Sequence, residues 1–63
     1  MPGEFFSIML YGELTTFEKK RVISIEPWGE GTRIILEASH FSEEPLVYDT
    51  PEPYDSVMQA YLS

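Results

Sequence analysis

A chain of 63 residues has room for one domain, and a net charge of −7 opposes adhesion to DNA, RNA or anionic lipid. With no cysteine and one histidine it can build neither a disulfide nor a cysteine- or histidine-rich metal site, while 43% hydrophobic and 14% aromatic residues exclude a disordered acidic tail. So small a chain buries a modest share of its surface, which makes a second copy the expected support.

The opening stretch, MPGEFFSIML, has no basic start and carries Glu4 ahead of its apolar run, so it does not read as a secretory signal. No apolar run nears the ~20 residues needed to cross a bilayer. The lack of cysteine fits a reducing, cytoplasmic setting.

Residues 4–10, EFFSIML, predict a strand that is apolar on both sides. Phe6, Ile8 and Leu10 share one face, and Phe5 and Met9 the other. A half-buried strand alternates with polar residues, so the Phe5 and Met9 face is expected to need cover from another molecule. A turn at Gly12 leads into a short second strand over residues 14–17, LTTF.

Residues 19–26 and 32–38, KKRVISIE and TRIILEA, predict a hairpin. Directly opposed residues share a face, so Ile23 and Ile25 are expected beside Ile34 and Leu36, with Val22, Ser24, Glu26, Arg33, Ile35 and Glu37 on the other side. Two pairings satisfy this. One closes on a four-residue loop, Pro27 to Glu30, and sets Ile25 against Thr32; the other closes on Gly29-Glu30 alone and sets Ile25 against Ile34. The first is preferred, because the second puts Pro27 in a ladder where it cannot donate. In either case Gly29-Glu30-Gly31 is a turn and not a phosphate loop. A phosphate cradle needs a helix N-terminus behind it, and here a β-branched strand follows.

SHFSEEP, residues 39–45, reads as a polar loop, and residues 45–49 as a last short strand. Thr50 and Pro51 suit the N-cap and first position of a helix over residues 51–62, whose Tyr54, Val57, Met58, Tyr61 and Leu62 form one apolar stripe. The predicted fold is therefore α+β: a small antiparallel meander of four to five strands with one C-terminal amphipathic helix packed on it.

An apolar strand ending in LYGE, then VISIE leading to GTRIIL, then PLVYD and a closing helix resembles the small flagellum-associated FlbD-like family and similar short bacterial and phage proteins. The resemblance covers roughly residues 5 to 62 and rests mainly on Ile25-Glu26 and Gly31-Thr32. Gly12-Glu13 stands where that family tends to have Asn-Gly, and SHFSEE is longer than its counterpart. The resemblance implies a small cytoplasmic α+β protein, oligomeric and without known catalysis; it implies no flagellar role for this chain.

Candidate chemistry is sparse. His40 stands beside Ser39, Ser42, Glu43 and Glu44, but all lie in one loop without the held geometry of a triad or metal site. Glu26 and Glu37 are expected to flank Arg33 as cross-strand ion pairs. No catalytic residue, metal or cofactor is assigned. The acids are scattered, without the dense runs of a nucleic-acid mimic, and there is no Lys or Arg after Arg33.

Two functions remain. In the first, the chain is a non-enzymatic, homo-oligomeric regulator or inhibitor of a protein partner, of a kind that phages and bacteria encode. It would make contact through Trp28, through Phe5 and Met9, and through the acidic loop. In the second, copies of Lys19, Lys20, Arg21 and Arg33 from neighbouring subunits converge on a small anionic ligand such as a nucleotide, with Tyr11 or Trp28 stacking on its base.

Overall fold

The computed structural model describes residues 3–38 and 43–63, so His40 with its neighbours Ser39 and Ser42 lies outside the described residues. In chain order the elements are β1 (Phe5–Leu10), β2 (Glu13–Glu18), a 3-10 turn (Lys19–Arg21), β3 (Val22–Trp28), β4 (Gly31–Leu36), β5 (Leu46–Thr50) and α1 (Tyr54–Leu62). The α+β architecture is as expected, with antiparallel strands and the helix packed on them. The meander, however, is split into a β1–β2 hairpin and a three-stranded sheet of order β3-β4-β5. Lys19, Lys20 and Arg21, expected to open the third strand, form the break instead. The Lys19 amide donates to the Glu4 carbonyl at 2.9 Å, ending the first hairpin, and the chain then turns away without pairing β2 with β3.

The hairpin behaves as its alternation predicts. Phe6 and Ile8 are buried, and Phe5 and Met9 are not. The buried side meets the sheet and the helix through aromatic contacts. Phe6 packs on Phe17 at 5.5 Å and edge-on to Tyr61 of α1 at 5.3 Å, and Phe17 meets Tyr48 of β5 at 5.2 Å. Such pairs contribute roughly 0.5–1.5 kcal/mol beyond their buried area. Ile34, Leu36 and Val57 complete the core.

The β3–β4 hairpin departs from expectation twice. It closes on the two-residue turn: Ile25 faces Ile34, Pro27 faces Thr32, and Trp28 faces Gly31. Gly29 has φ +60° and Glu30 does not share a positive φ, the pattern of a type II′ turn. The objection from Pro27 fails because β3 is an edge strand. One step from the closing pair, the nitrogen of Pro27 points to the open edge, where no ladder bond is lost. Second, a bulge between Val22 and Ser24 shifts the register, so that Val22, not Ile23, faces Leu36. Val22 packs against the core and Ile23 is left exposed.

The helix starts at Tyr54, later than expected, with Pro53 as N-cap and no side-chain cap. A residue before proline is driven to extended backbone, so Glu52 cannot be helical. Thr50 has a different task. Its hydroxyl donates to the Met9 carbonyl at 2.6 Å, tying β5 to β1, and accepts from the Glu52 amide at 3.1 Å. Thr32, opposite it and buried, donates to the Glu52 carbonyl at 2.9 Å. The apolar stripe also rotates slightly. Val57 is enclosed and Ala60 and Tyr61 pack on the core, while Leu62 faces outward. No helix among the described residues is long and apolar enough to cross a membrane.

Candidate binding surface

Alternation along the three-stranded sheet sends Ile25, Thr32, Ile34, Leu36, Tyr48 and Thr50 to the core. The residues between them, Ser24, Glu26 and Trp28 on β3, Arg33 and Ile35 on β4, and Val47 and Asp49 on β5, form the opposite face. Helix and hairpin both pack on the core side, through Val57, Phe6 and Phe17. The outer face therefore has no cover from the described chain.

At the centre of that face stands Arg33. Its Nε and Nη2 donate to Oδ1 and Oδ2 of Asp49 at 2.7 and 3.0 Å, a two-pronged pair. Its Cζ lies 3.5 Å from the ring centre of Trp28. A guanidinium held in plane by a carboxylate and stacked on an indole is fixed by both contacts. Trp28 remains 50% exposed and Val47, one row along, 52% exposed, so two large apolar side chains flank a rigid polar centre. The hydrogen bond from Arg33 holds the Asp49 carboxyl below its ordinary range, and the same bond raises Arg33. The expected pairing of Arg33 with Glu26 and Glu37 is thereby corrected. Glu26 does lie directly opposite Arg33, but the hydrogen-bonded partner is Asp49 on its other side.

This pair sets a pH dependence. A lowered folded value means Asp49 contributes stability above its unfolded value of about 3.9, and that contribution is lost as pH falls through the lower folded value. Asp49→Asn is expected to lower the urea midpoint at neutral pH. The gap to wild type should begin to narrow as pH falls below about 4 and close only below the lowered folded value, where the wild-type carboxyl is itself protonated. A gap that stays constant down to strongly acid pH would show that the asparagine acts through packing and not through charge.

The other expected contact residues, Phe5 and Met9, lie on the outer side of the hairpin, 55% and 40% exposed. They do not form one greasy patch, because the Ser7 and Thr16 hydroxyls bond at 2.7 Å between them. Phe5 looks into a cleft of about 310 Å³ with Phe17, Leu36 and Leu46, and Met9 into one of about 150 Å³ with Leu14, Val57 and Ala60.

The four bases are dispersed and engaged. Lys19 donates to the Ser63 carbonyl at 2.8 Å and lies 5.8 Å from the Tyr61 ring. Lys20 and Arg21 lie 3.6 and 3.8 Å from the Glu18 carboxylate. Arg33 is near the other end of β3–β4, and Tyr11 sits on the β1–β2 turn at the far end of β2 from the lysines. Within one chain these residues do not converge. Among the described residues no group of three acids or histidines is placed to hold a metal.

Val47 and Asp49 join the site without having been singled out by the sequence. The alternation of LVYDT places them on one side of a strand, but so short a strand has no register until β4 supplies one. Comparisons with protein families, curated proteins and solved structures find no match to this chain.

Proposed function

We propose that this chain is a non-enzymatic binding protein, a small acidic regulator or inhibitor that acts by occupying a protein partner. The observation that carries the proposal is the uncovered outer face of the three-stranded sheet, where Trp28 and Val47 flank the Arg33–Asp49 pair. Tryptophan and arginine dominate the energetics of protein interfaces, and a side chain already fixed in the free protein loses little entropy on docking. Phe5 and Met9 belong to the β1–β2 hairpin, a separate sheet, and are not part of this face. The anion-binding alternative has less support, since each of the four bases already lies near a carboxylate or carbonyl oxygen.

The test is capture from cells expressing the tagged chain, with Val47→Glu and Trp28→Ala compared against the exposed control Leu62→Ser. A protein retained by wild type and by the control, and reduced at least tenfold by both face variants, is the expected result. Retention that ignores Trp28 and Val47, or no retained protein at all, would overturn the reading. Stabilisation of the fold by a saturating nucleotide, read as a rise in melting temperature, would move it to the anionic ligand.

A further inference from the structure

Among the described residues, four strands have an edge without a backbone neighbour: β1, β2, β3 and β5. An open edge is a template for another strand, and proteins normally blunt it. Three of the four are blunted. At β1, the Thr50 hydroxyl takes the Met9 carbonyl, and α1 runs alongside with Ser56 and Ala60 near Ser7 and Met9. At β3, Pro27 and the bulge at Ile23 interrupt the edge, and Met58 and Tyr61 of α1 lie against it. Strand β5 is bracketed by Pro45 and Pro51 and carries Asp49. Strand β2, ELTTFE, carries Glu13 and Glu18 at its ends but no proline, glycine or bulge. Among the described residues β1 is its one hydrogen-bonded neighbour, and Thr16 and Glu18 line the cleft shared with Leu36, Glu37 and Leu46.

The register decides which groups of β2 face outward. Leu10 and Glu13 close the turn as a hydrogen-bonded pair, and Lys19 bonds to Glu4 at the other end. The alternation between them leaves the amides and carbonyls of Leu14, Thr16 and Glu18 pointing away from β1. Leu14 is 69% exposed.

We propose that β2 pairs antiparallel with β2 of a second copy about a two-fold axis at Thr16, joining two hairpins into one four-stranded sheet. This inference is independent of the partner-binding face, which lies on the other sheet. Outward groups must meet outward groups, so the axis can pass through Thr15, Thr16 or Phe17. Charge selects among them. An axis at Thr16 sets Glu13 of each copy against Lys19 of the other, whose ammonium has donors beyond the one on the Ser63 carbonyl, and Leu14 against Glu18, whose aliphatic stem can cover it. An axis at Thr15 sets Glu13 against Phe17, and one at Phe17 shortens the paired stretch and leaves Leu14 outside it. With the axis at Thr16, each outer row across the seam reads Phe5, Glu18, Leu14, Met9, so the two residues expected to need a second copy sit on either side of the seam. Tyr11, 78% exposed and held at φ +49°, comes to the end of the second copy's β2 that carries Lys19, Lys20 and Arg21. Three of the four bases thus lie at the seam of a protein whose net charge of −7 otherwise keeps copies apart.

Cysteine crosslinking tests the register, because the chain has no cysteine of its own. Thr16→Cys brings two Cα atoms to about 5.5 Å across the axis, within disulfide reach. In Leu14→Cys the two cysteines are about 13 Å apart. Mild oxidation is expected to give a covalent dimer from Thr16→Cys and not from Leu14→Cys. Sedimentation of the wild-type chain is expected to show a dimer that Leu14→Glu weakens at least tenfold, with an unchanged melting temperature at concentrations where both are monomeric. A wild-type chain that stays monomeric at millimolar concentration, equal crosslinking at both positions, or a dimer indifferent to Leu14→Glu would overturn the proposal.

Discussion

Replacing Ile34 by alanine is expected to unfold this protein or bring it to the brink. Ile34 is fully enclosed at the middle of β4, the central strand of its sheet, with Ile25 on one side and Tyr48 on the other. Val57 of α1 belongs to the same buried cluster, as do Phe6 and Phe17 of the hairpin. The residue therefore belongs to the contacts that hold two sheets and a helix together. Truncating a buried isoleucine costs about 2–5 kcal/mol, part of it from the cavity left behind. A chain of this size has roughly 3–9 kcal/mol of total stability at about 0.05–0.15 kcal/mol per residue. The melting temperature should fall by roughly 10–40 °C, given about 4–8 °C per kcal/mol in a small domain. Ile35→Ala, one residue on and on the outer face, should cost far less. Equal losses at the two positions, measured by thermal or urea unfolding, would show that the faces of β4 are not as distinct as described.

That contrast between neighbours is legible in the sequence, because alternation in a strand depends on adjacent residues alone. The same holds for Phe6 and Ile8 against Phe5 and Met9, and for the helix whose stripe centres on Val57. What is not legible depends on strand order. Pro27 looks forbidden at a paired position, yet an edge strand has a side on which a missing amide costs nothing. Only the order β3-β4-β5 shows which side that is. The exchange of Val22 for Ile23 has a related cause: two β-branched residues in a row fit either face, and the bulge decides between them. Asp49 cannot be chosen over Glu26 and Glu37 as the partner of Arg33 without the β4–β5 register. The late helix start is different. The rule for a residue before proline applies at Glu52 from sequence alone, and it outweighs the attraction of Thr50 as an N-cap.

Gly31→Ala is expected to be the most damaging conservative change in the turn region, and to damage the binding face as well as the fold. Gly31 opens β4 opposite Trp28, where β5 runs into Pro51. A Cβ there would fall on the Thr50 carbonyl oxygen and lie 3.1 Å from the Pro51 Cα. These are backbone atoms and cannot swing aside as a side chain could. Overpacking of this sort costs about 1–3 kcal/mol or more, and relief requires the start of β4 to separate from the end of β5. Gly29 is the control. A Cβ there meets nothing within 4 Å, so Gly29→Ala carries only the strain of its positive φ, about 1–2 kcal/mol. The separation forced at Gly31 also reaches the site, because Asp49 adjoins Thr50 and Arg33 adjoins Thr32, and those two threonines face each other across β4 and β5. The Arg33–Asp49 pair, and with it the orientation of Trp28, depends on that close approach. Gly31→Ala should therefore shift the indole fluorescence of the folded protein and lose partner capture, whereas Gly29→Ala should lower the melting temperature and leave the Trp28 signal of the folded state in place. A Gly31→Ala chain with wild-type stability and an unchanged Trp28 spectrum would mean that β4 and β5 do not approach as closely there as described.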